Sequence, residues 1–237
     1  MIRAIQFSNR RVGSTFLQNA IDSHTDIIGI DEVFVNNIRK GLKKSGFVPY
    51  CRFREGDIIF SPKEYINDVI HRTYPDTNTC FKLMYHQIHY HTGLYHYLTN
   101  GDRIKILHLM RKNLLKQVIS FYKMSEYNHN PIKISPDQLF NEVVKADQDN
   151  KNWSKTFKNK IQLTLYFEDM IGKTEDDRTY LANNANVAVC NFFGVKQQQL
   201  FAKTKKKNKD DLSVYLPNID KIRNKFKGTQ YEWMMED

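Results

Sequence analysis

Cysteine is scarce: the 237-residue chain holds three, Cys51, Cys80 and Cys190. Their spacing fits no metal motif, and the odd count argues against a disulfide framework and for a reducing compartment. No run of about 18 apolar residues occurs, which excludes a membrane-spanning helix. The N-terminus lacks the apolar stretch of a secretory signal, and Met1 to Phe7 reads at once as a strand. A soluble, cytoplasmic protein is expected. Acidic residues are outnumbered, with 26 Asp+Glu against 36 Lys+Arg and a formal net charge of +10. Such a surface attracts polyanions or small phosphorylated ligands, and it says nothing about fold. What is plentiful is core material: 41% hydrophobic and 13% aromatic residues are too many for a disordered chain. The length suits one domain spanning 1–237.

Short apolar runs recur along the chain. Ile2 to Phe7, Ile27 to Ile30, Cys80 to Tyr85, Ile104 to Met110 and Ile161 to Phe167 read as strands. Helical spacing follows several of them. Phe16, Leu17, Ala20 and Ile21 share a face, as do Tyr65, Ile66, Val69 and Ile70. Helices are also expected over Leu114 to Met124, from Pro136 to Phe157 with Ser135 as N-cap, near 177–193 up to Gly194, and over 218–227 up to Gly228. Strands alternating with helices imply an α/β layered fold, with a mainly parallel central sheet flanked by helices. No internal repeat is visible.

Two strand-to-helix junctions carry the chemistry. The first, Arg11-Val12-Gly13-Ser14-Thr15, joins a strand to a helix whose unpaired N–H groups and positive dipole end suit an anion. Gly13 permits close backbone approach, Ser14 and Thr15 add hydroxyls, and Arg11 adds charge. The loop lacks the G-x-x-x-x-G-K-[ST] spacing of a nucleotide triphosphatase. An ordinary polar turn with N-caps fits the pentapeptide equally well. The second junction follows the 104–110 strand: Arg111-Lys112-Asn113, then Ser120 about two helical turns on. A cation at the strand end and this serine can converge on one anion, although a basic, solvated helix start would look the same.

Together these segments resemble the PAPS-dependent sulfotransferases, which transfer a sulfuryl group from 3′-phosphoadenosine-5′-phosphosulfate. Strand-Arg-x-Gly-Ser-Thr-helix looks like that family's 5′-phosphosulfate loop. Asp22-Ser23-His24-Thr25-Asp26 resembles its S-H-P-D turn, with Thr25 in place of proline. Arg111 to Tyr122 is similar to R-x-N-L-…-S-x-Y, which grips the 3′-phosphate. Phe81 to Tyr85, Tyr166 to Met170 and Asn218 to Tyr231 match weaker family segments. Segments near 35–75 and 125–160 are unmatched and are where acceptor contacts would vary.

The resemblance implies a P-loop-like fold, PAPS as donor, PAP as product, and no metal. It places Arg11, Val12, Gly13, Ser14 and Thr15 on the 5′-phosphate side. Ser120, with Arg111 or Lys112, would hold the 3′-phosphate. Phe16 and Phe167 are expected near adenine, with a core role for Phe16 as the alternative. Glu32 is the expected general base, with Asp31 and His86 as competitors. Strict alignment puts Met84, not His86, where relatives carry a histidine. Glu32 could instead be a surface carboxylate or an ion-pair partner of Arg10 or Arg11. The basic run Lys203, Lys205, Lys206, Lys207 and Lys209 is either a closing segment or solvated linker. His86, His89, His91 and His96 share no usual zinc spacing, so no metal is expected.

The expected activity is sulfuryl transfer to a hydroxyl of a carbohydrate or small molecule. Alternatives are a PAP- or PAPS-binding protein without turnover, a degenerate P-loop kinase, or a nucleic-acid binder. The kinase lacks its lysine motif. The nucleic-acid binder would need its cations on one exposed face, and here they sit at strand-to-helix junctions. A small-molecule or glycan acceptor is therefore the expected partner, with no nucleic acid.

Overall fold

The structure, a computed structural model, describes residues 1–34, 61–101, 104–125, 131–203 and 211–236. Five strands form one sheet: β1 (Arg3–Ser8), β2 (Ile27–Glu32), β3 (Asn78–Met84), β4 (Ile104–Met110) and β5 (Ile161–Tyr166). Their order is β2-β3-β1-β4-β5, and every pair is parallel. The expected fold class is what the chain adopts.

Both faces of the sheet are covered, as parallel strands require. Alternation along each strand divides the core. Ala4, Cys80, Leu107, Leu109 and Leu165 face α1 (Ser14–Ile21) and α8 (Asn183–Phe193). Ile5, Phe7, Phe81, Leu83 and Ile106 face the other way. They meet a short α2 (Pro62–Glu64) continued as a wide-turn helix over Tyr65–His71, then α3 (Tyr85–Tyr90) and α4 (Thr92–Asn100). A third apolar cluster lies off the sheet. It joins α5 (Leu114–Ser125), α6 (Pro136–Thr156), α9 (Ile219–Phe226) and the C-terminal turns. Ser135 caps α6 as expected, accepting from the Gln138 amide at 3.1 Å.

Two expectations need correction. The helix foreseen from 177 starts only at Asn183; before it, a short α7 (Phe167–Met170) leads into the antiparallel hairpin β6 (Ile171–Glu175) and β7 (Arg178–Leu181). Asp176, at φ 51, makes the hairpin turn, and β8 (Phe201–Ala202) completes a second sheet. A polar, charged hairpin on an edge carries little period-2 apolar signal, so its sequence did not show it. The strand read over Cys80 to Tyr85 ends at Met84, and Tyr85 starts the His- and Tyr-rich helices α3 and α4.

One buried polar network crosses from the sheet to α6. His108 on β4 is fully buried and stacks on Phe7 at 5.7 Å. Its Nε2 bonds closely to the Tyr85 hydroxyl, which donates to Asn150 Oδ1 at 3.1 Å. Ser154 Oγ lies 3.4 Å from Nδ1. Burial pulls the pKa of His108 down to about 4 and pushes the Tyr85 phenol far up, so both groups stay neutral. His71 and His86 are likewise lowered to about 4, chiefly by burial. An unfolded histidine titrates near 6.5, so between about pH 6.5 and 4 the unfolded chain binds more protons than the folded one. Stability is therefore lost as pH falls through that window, by about 3 kcal/mol for a side chain as buried as His108. Urea unfolding at stepped pH is expected to show that loss. His108→Asn, though less stable overall, is expected to show a flatter pH slope, and an unchanged slope would refute the assignment.

Candidate functional site

At the C-terminal end of β1 the chain turns through two left-handed residues, Arg11 at φ 64 and Gly13 at φ 81. The second is the N-cap of α1, and no side chain caps that helix. Its first-turn amides at Ser14 and Thr15 are thus available to an anion. Val12 is fully buried and anchors the loop in the core; Gln6 Nε2 holds the Ser14 carbonyl at 3.0 Å. The glycine is required for a second reason. A Cβ at position 13 would stand 2.2 Å from the Phe167 ring. Phe167 is thus packed beneath the loop.

The end of β4 meets this loop from the side. Asn113 caps α5, accepting from the Lys116 amide at 2.9 Å. The Glu168 carboxylate accepts from the amides of Lys112 and Asn113, at 2.9 and 3.1 Å. It therefore occupies the start of α5 that an external anion would otherwise use. Arg111, 3.5 Å from the same carboxylate, lays its guanidinium over Phe167 at 4.9 Å and reaches the Arg11 carbonyl at 3.4 Å. Lys112 turns away, paired with Asp169 at 2.5 Å. Arg11 donates from Nε to Ser120 Oγ at 3.0 Å. Burial lowers its pKa from the ordinary value, but a guanidinium starts so high that it keeps its charge. The two junctions, read separately in the sequence, thus form one contiguous cationic patch, with Ser120 bonded to Arg11 rather than to Arg111.

On the other side of β1, the expected base meets a partner that sequence reasoning missed. Lys82 on β3 is buried, its side chain 3% exposed. Its ammonium lies 2.5 Å from Asp31, 3.6 Å from Glu32 and 3.4 Å from Thr15 Oγ1. Consecutive strand residues point to opposite faces, so both carboxylates should not reach one cation. A bulge between Ile30 and Glu32 permits it. Asp31 also accepts from the Glu32 amide at 2.9 Å, so Asp31 is the more tightly held of the two. Glu32 therefore pairs with Lys82, neither with Arg10 nor with Arg11. The available signal was the lysine itself, set inside the apolar run Cys80 to Met84.

The remaining candidates lie as follows. Phe16 is 8% exposed and belongs to the core cluster that also holds Leu17 and Leu109. His86 lies in the first turn of α3, half-buried; burial lowers its pKa, and the charges of Arg10 and His89 add to the effect. Met84 Sδ sits 3.5 Å from Ser8 Oγ. His89 rests on Trp153 and His91 on Phe34, and among the described residues no three potential metal ligands come together. Lys203 is exposed; Lys205, Lys206, Lys207 and Lys209 lie outside the described residues, as do Cys51 and most of the 35–75 segment.

No family model and no curated protein matches this chain. Several solved chains are similar to it, including these two. A sulfotransferase from Alicyclobacillus acidocaldarius is 12% identical, with 94% of this chain and 95% of that one covered and a TM-score of 0.49. The sulfotransferase domain of the Synechococcus PCC 7002 olefin synthase is 15% identical, covering 83% of this chain and 74% of that one, with a TM-score of 0.43. At such identities any functional reading is carried by the residues of the site.

Gly13→Ala is expected to destabilise the fold by about 2–5 kcal/mol, the sum of a strained positive φ and an overpacked ring contact. Adding Phe167→Ala removes the clash and leaves the φ strain. The two losses are therefore expected to be non-additive in a double-mutant cycle read by urea unfolding. Additive losses would show that Phe167 does not lie against the loop.

Proposed function

We propose that this chain moves a sulfuryl group from PAPS to a hydroxyl on a carbohydrate or small molecule by in-line displacement. The observation that carries this reading is the contiguity of two anion positions. Arg11, bonded to Ser120, lies beside the first-turn amides of α1, and Arg111 backs it. A nucleotide bearing phosphate at both the 5′ and 3′ positions needs two such positions side by side, and ATP does not. The sequence resemblance at the same residues supports the same choice.

Bound there, PAPS would supply the sulfuryl group. The chain has the other parts to provide. Arg11 and the amides of Ser14 and Thr15 stabilise charge on the leaving phosphate oxygens. Arg111 and Ser120 hold the 3′-phosphate, with Phe167 as a flat neighbour for the base. Glu32 accepts the proton of the attacking hydroxyl. It is the looser of the two carboxylates on Lys82, and it ends β2, beyond the β3 lysine that reaches Thr15 of the loop. Lys82 fixes that strand end against Thr15. Burial lowers the pKa of His86 to about 4, which takes from it the near-neutral range that suits a histidine base. The degenerate-kinase alternative has no G-x-x-x-x-G-K-[ST] loop lysine to use.

Thermal unfolding with PAP, with ADP and with ATP–Mg²⁺ tests this. A nucleotide at about 100 times its dissociation constant adds about 2.7 kcal/mol, a rise of roughly 5–10 °C for a chain of this size. PAP alone is expected to give the shift, and Arg11→Ala to abolish it. Glu32→Gln is expected to keep the shift and to lower turnover by about 10²–10⁴. A shift only with ATP–Mg²⁺, or none, overturns the reading.

A further inference from the structure

The cations at the strand ends differ in their counter-charges. Lys82 has Asp31 and Glu32, Arg111 has Glu168, and Lys112 has Asp169. Arg11 has no carboxylate partner among the described residues; it donates to Ser120 Oγ at 3.0 Å and lies 3.6 Å from Met124 Sδ. The pairing at the end of β4 follows from register. Met110 stands beside Tyr166 in the parallel pair, so two residues further on Lys112 and Glu168 leave their strands side by side. Two consecutive cations thus meet two consecutive carboxylates. Lys112 and Asp169 face solvent, their side chains 46% and 55% exposed, and screening makes that pair worth little. Arg111 and Glu168 are more enclosed, at 14% and 32%.

Glu168 is fixed more firmly than an ordinary ion-pair partner. Its two oxygens accept from the Lys112 and Asn113 amides at the entry to α5, at 2.9 and 3.1 Å. The oxygen bonded to Asn113 also lies 3.5 Å from Arg111 Nε. Phe167, the residue before it, carries the Arg111 guanidinium on its ring. A carboxylate held by two backbone amides does not swing away when another anion arrives. Any phosphate gripped by Arg111 therefore sits close to a resident negative charge. Salt screens such a partly buried charge less than an exposed one. The amides at the entry to α5, which would attract the same phosphate, are already taken. Arg111 thus offers hydrogen bonds with its charge balanced, and Arg11 supplies the net charge.

We infer that Glu168 sets the affinity of the 3′-phosphate position at Arg111 and Ser120, and that it does so by weakening it. The inference rests on the PAPS reading. Donor and product carry the same 3′-phosphate, so the carboxylate weakens both alike and lets the product leave faster. A nucleotide without a 3′-phosphate puts no charge beside Glu168 and does not feel it. A carboxylate with a structural role alone predicts the opposite sign. Its loss would loosen Arg111 and weaken the 3′-phosphorylated nucleotide.

Titration calorimetry with PAP and with ADP tests it on the full chain and on three variants. Glu168→Gln keeps the length and one acceptor oxygen and removes the charge. It is expected to bind PAP about tenfold tighter than the parent, and ADP within about twofold of it, although its free form unfolds at a lower temperature. Glu168→Asp keeps the charge, and it is expected to bind PAP no tighter than the parent. Asp169→Asn makes the same change in net charge on the solvent side, and it is expected to leave both affinities within about twofold. Unchanged or weaker PAP binding in Glu168→Gln, an equal gain for ADP, or an equal gain in Asp169→Asn would each overturn the inference and leave the PAPS reading in place. Tighter PAP binding in Glu168→Asp would do the same. Failure of Glu168→Gln to fold would assign the carboxylate to the fold and overturn the inference too. A parent chain that does not bind PAP overturns the PAPS reading, and the inference with it.

Discussion

The turn between β1 and α1 depends on two residues in the left-handed region, and the edge of the sheet is arranged around it. A single positive φ at glycine is inexpensive, whereas the same conformation at arginine is not, and it must be held by its surroundings. Arg11 is held twice, by Ser120 through its side chain and by Arg111 through its carbonyl. Gly13 admits the Phe167 ring, on which Arg111 in turn lies. Loop, strand end and helix therefore fix one another. A site that must stabilise developing charge needs its cations already in place, because reorganisation at the moment of reaction removes the benefit.

Buried charge is the second constraint. A lysine 3% exposed is costly unless it is paired, and removing its partners would leave an uncompensated ion. Lys82 meets that cost with two carboxylates, which a regular strand could not deliver to one cation. The β2 bulge is thus a requirement of the ion cluster. The cluster stands where β1 and β3 send their helices to opposite faces of the sheet, the crevice in which parallel α/β sheets place ligands.

How much of this the sequence disclosed depends on the range of each interaction. Strands and helices with clean apolar periods, such as Ile104 to Met110 and the α6 stripe, were legible because burial imposes the period directly. Both phosphate-type junctions were legible as local motifs. The pairings were not. Nothing local says that Arg11 bonds Ser120, 109 residues away, or that Glu168 covers the start of α5. Lys82 was visible only as an oddity in an apolar run, and its meaning required the register of β2 against β3. The β6–β7 hairpin escaped because β6 is largely exposed and β7, four residues long, buries only a threonine and a leucine, too short an apolar period to read. Phe16 could not be divided between core and ligand by spacing alone, since both uses place an aromatic on the same helical face.

The neutral network behind the sheet links these ends of the molecule. Tyr85 follows the strand that carries Lys82, and its hydroxyl reaches Asn150 on α6 while accepting from His108 on β4. Keeping His108 and Tyr85 uncharged lets a hydrogen-bonded chain run through an apolar core without leaving an ion there. Asn150, buried on α6, is the far end of that chain. A polar position in a core stripe is costly in packing and desolvation, and the Tyr85 hydroxyl offsets part of that cost by giving the Asn150 side-chain oxygen its donor.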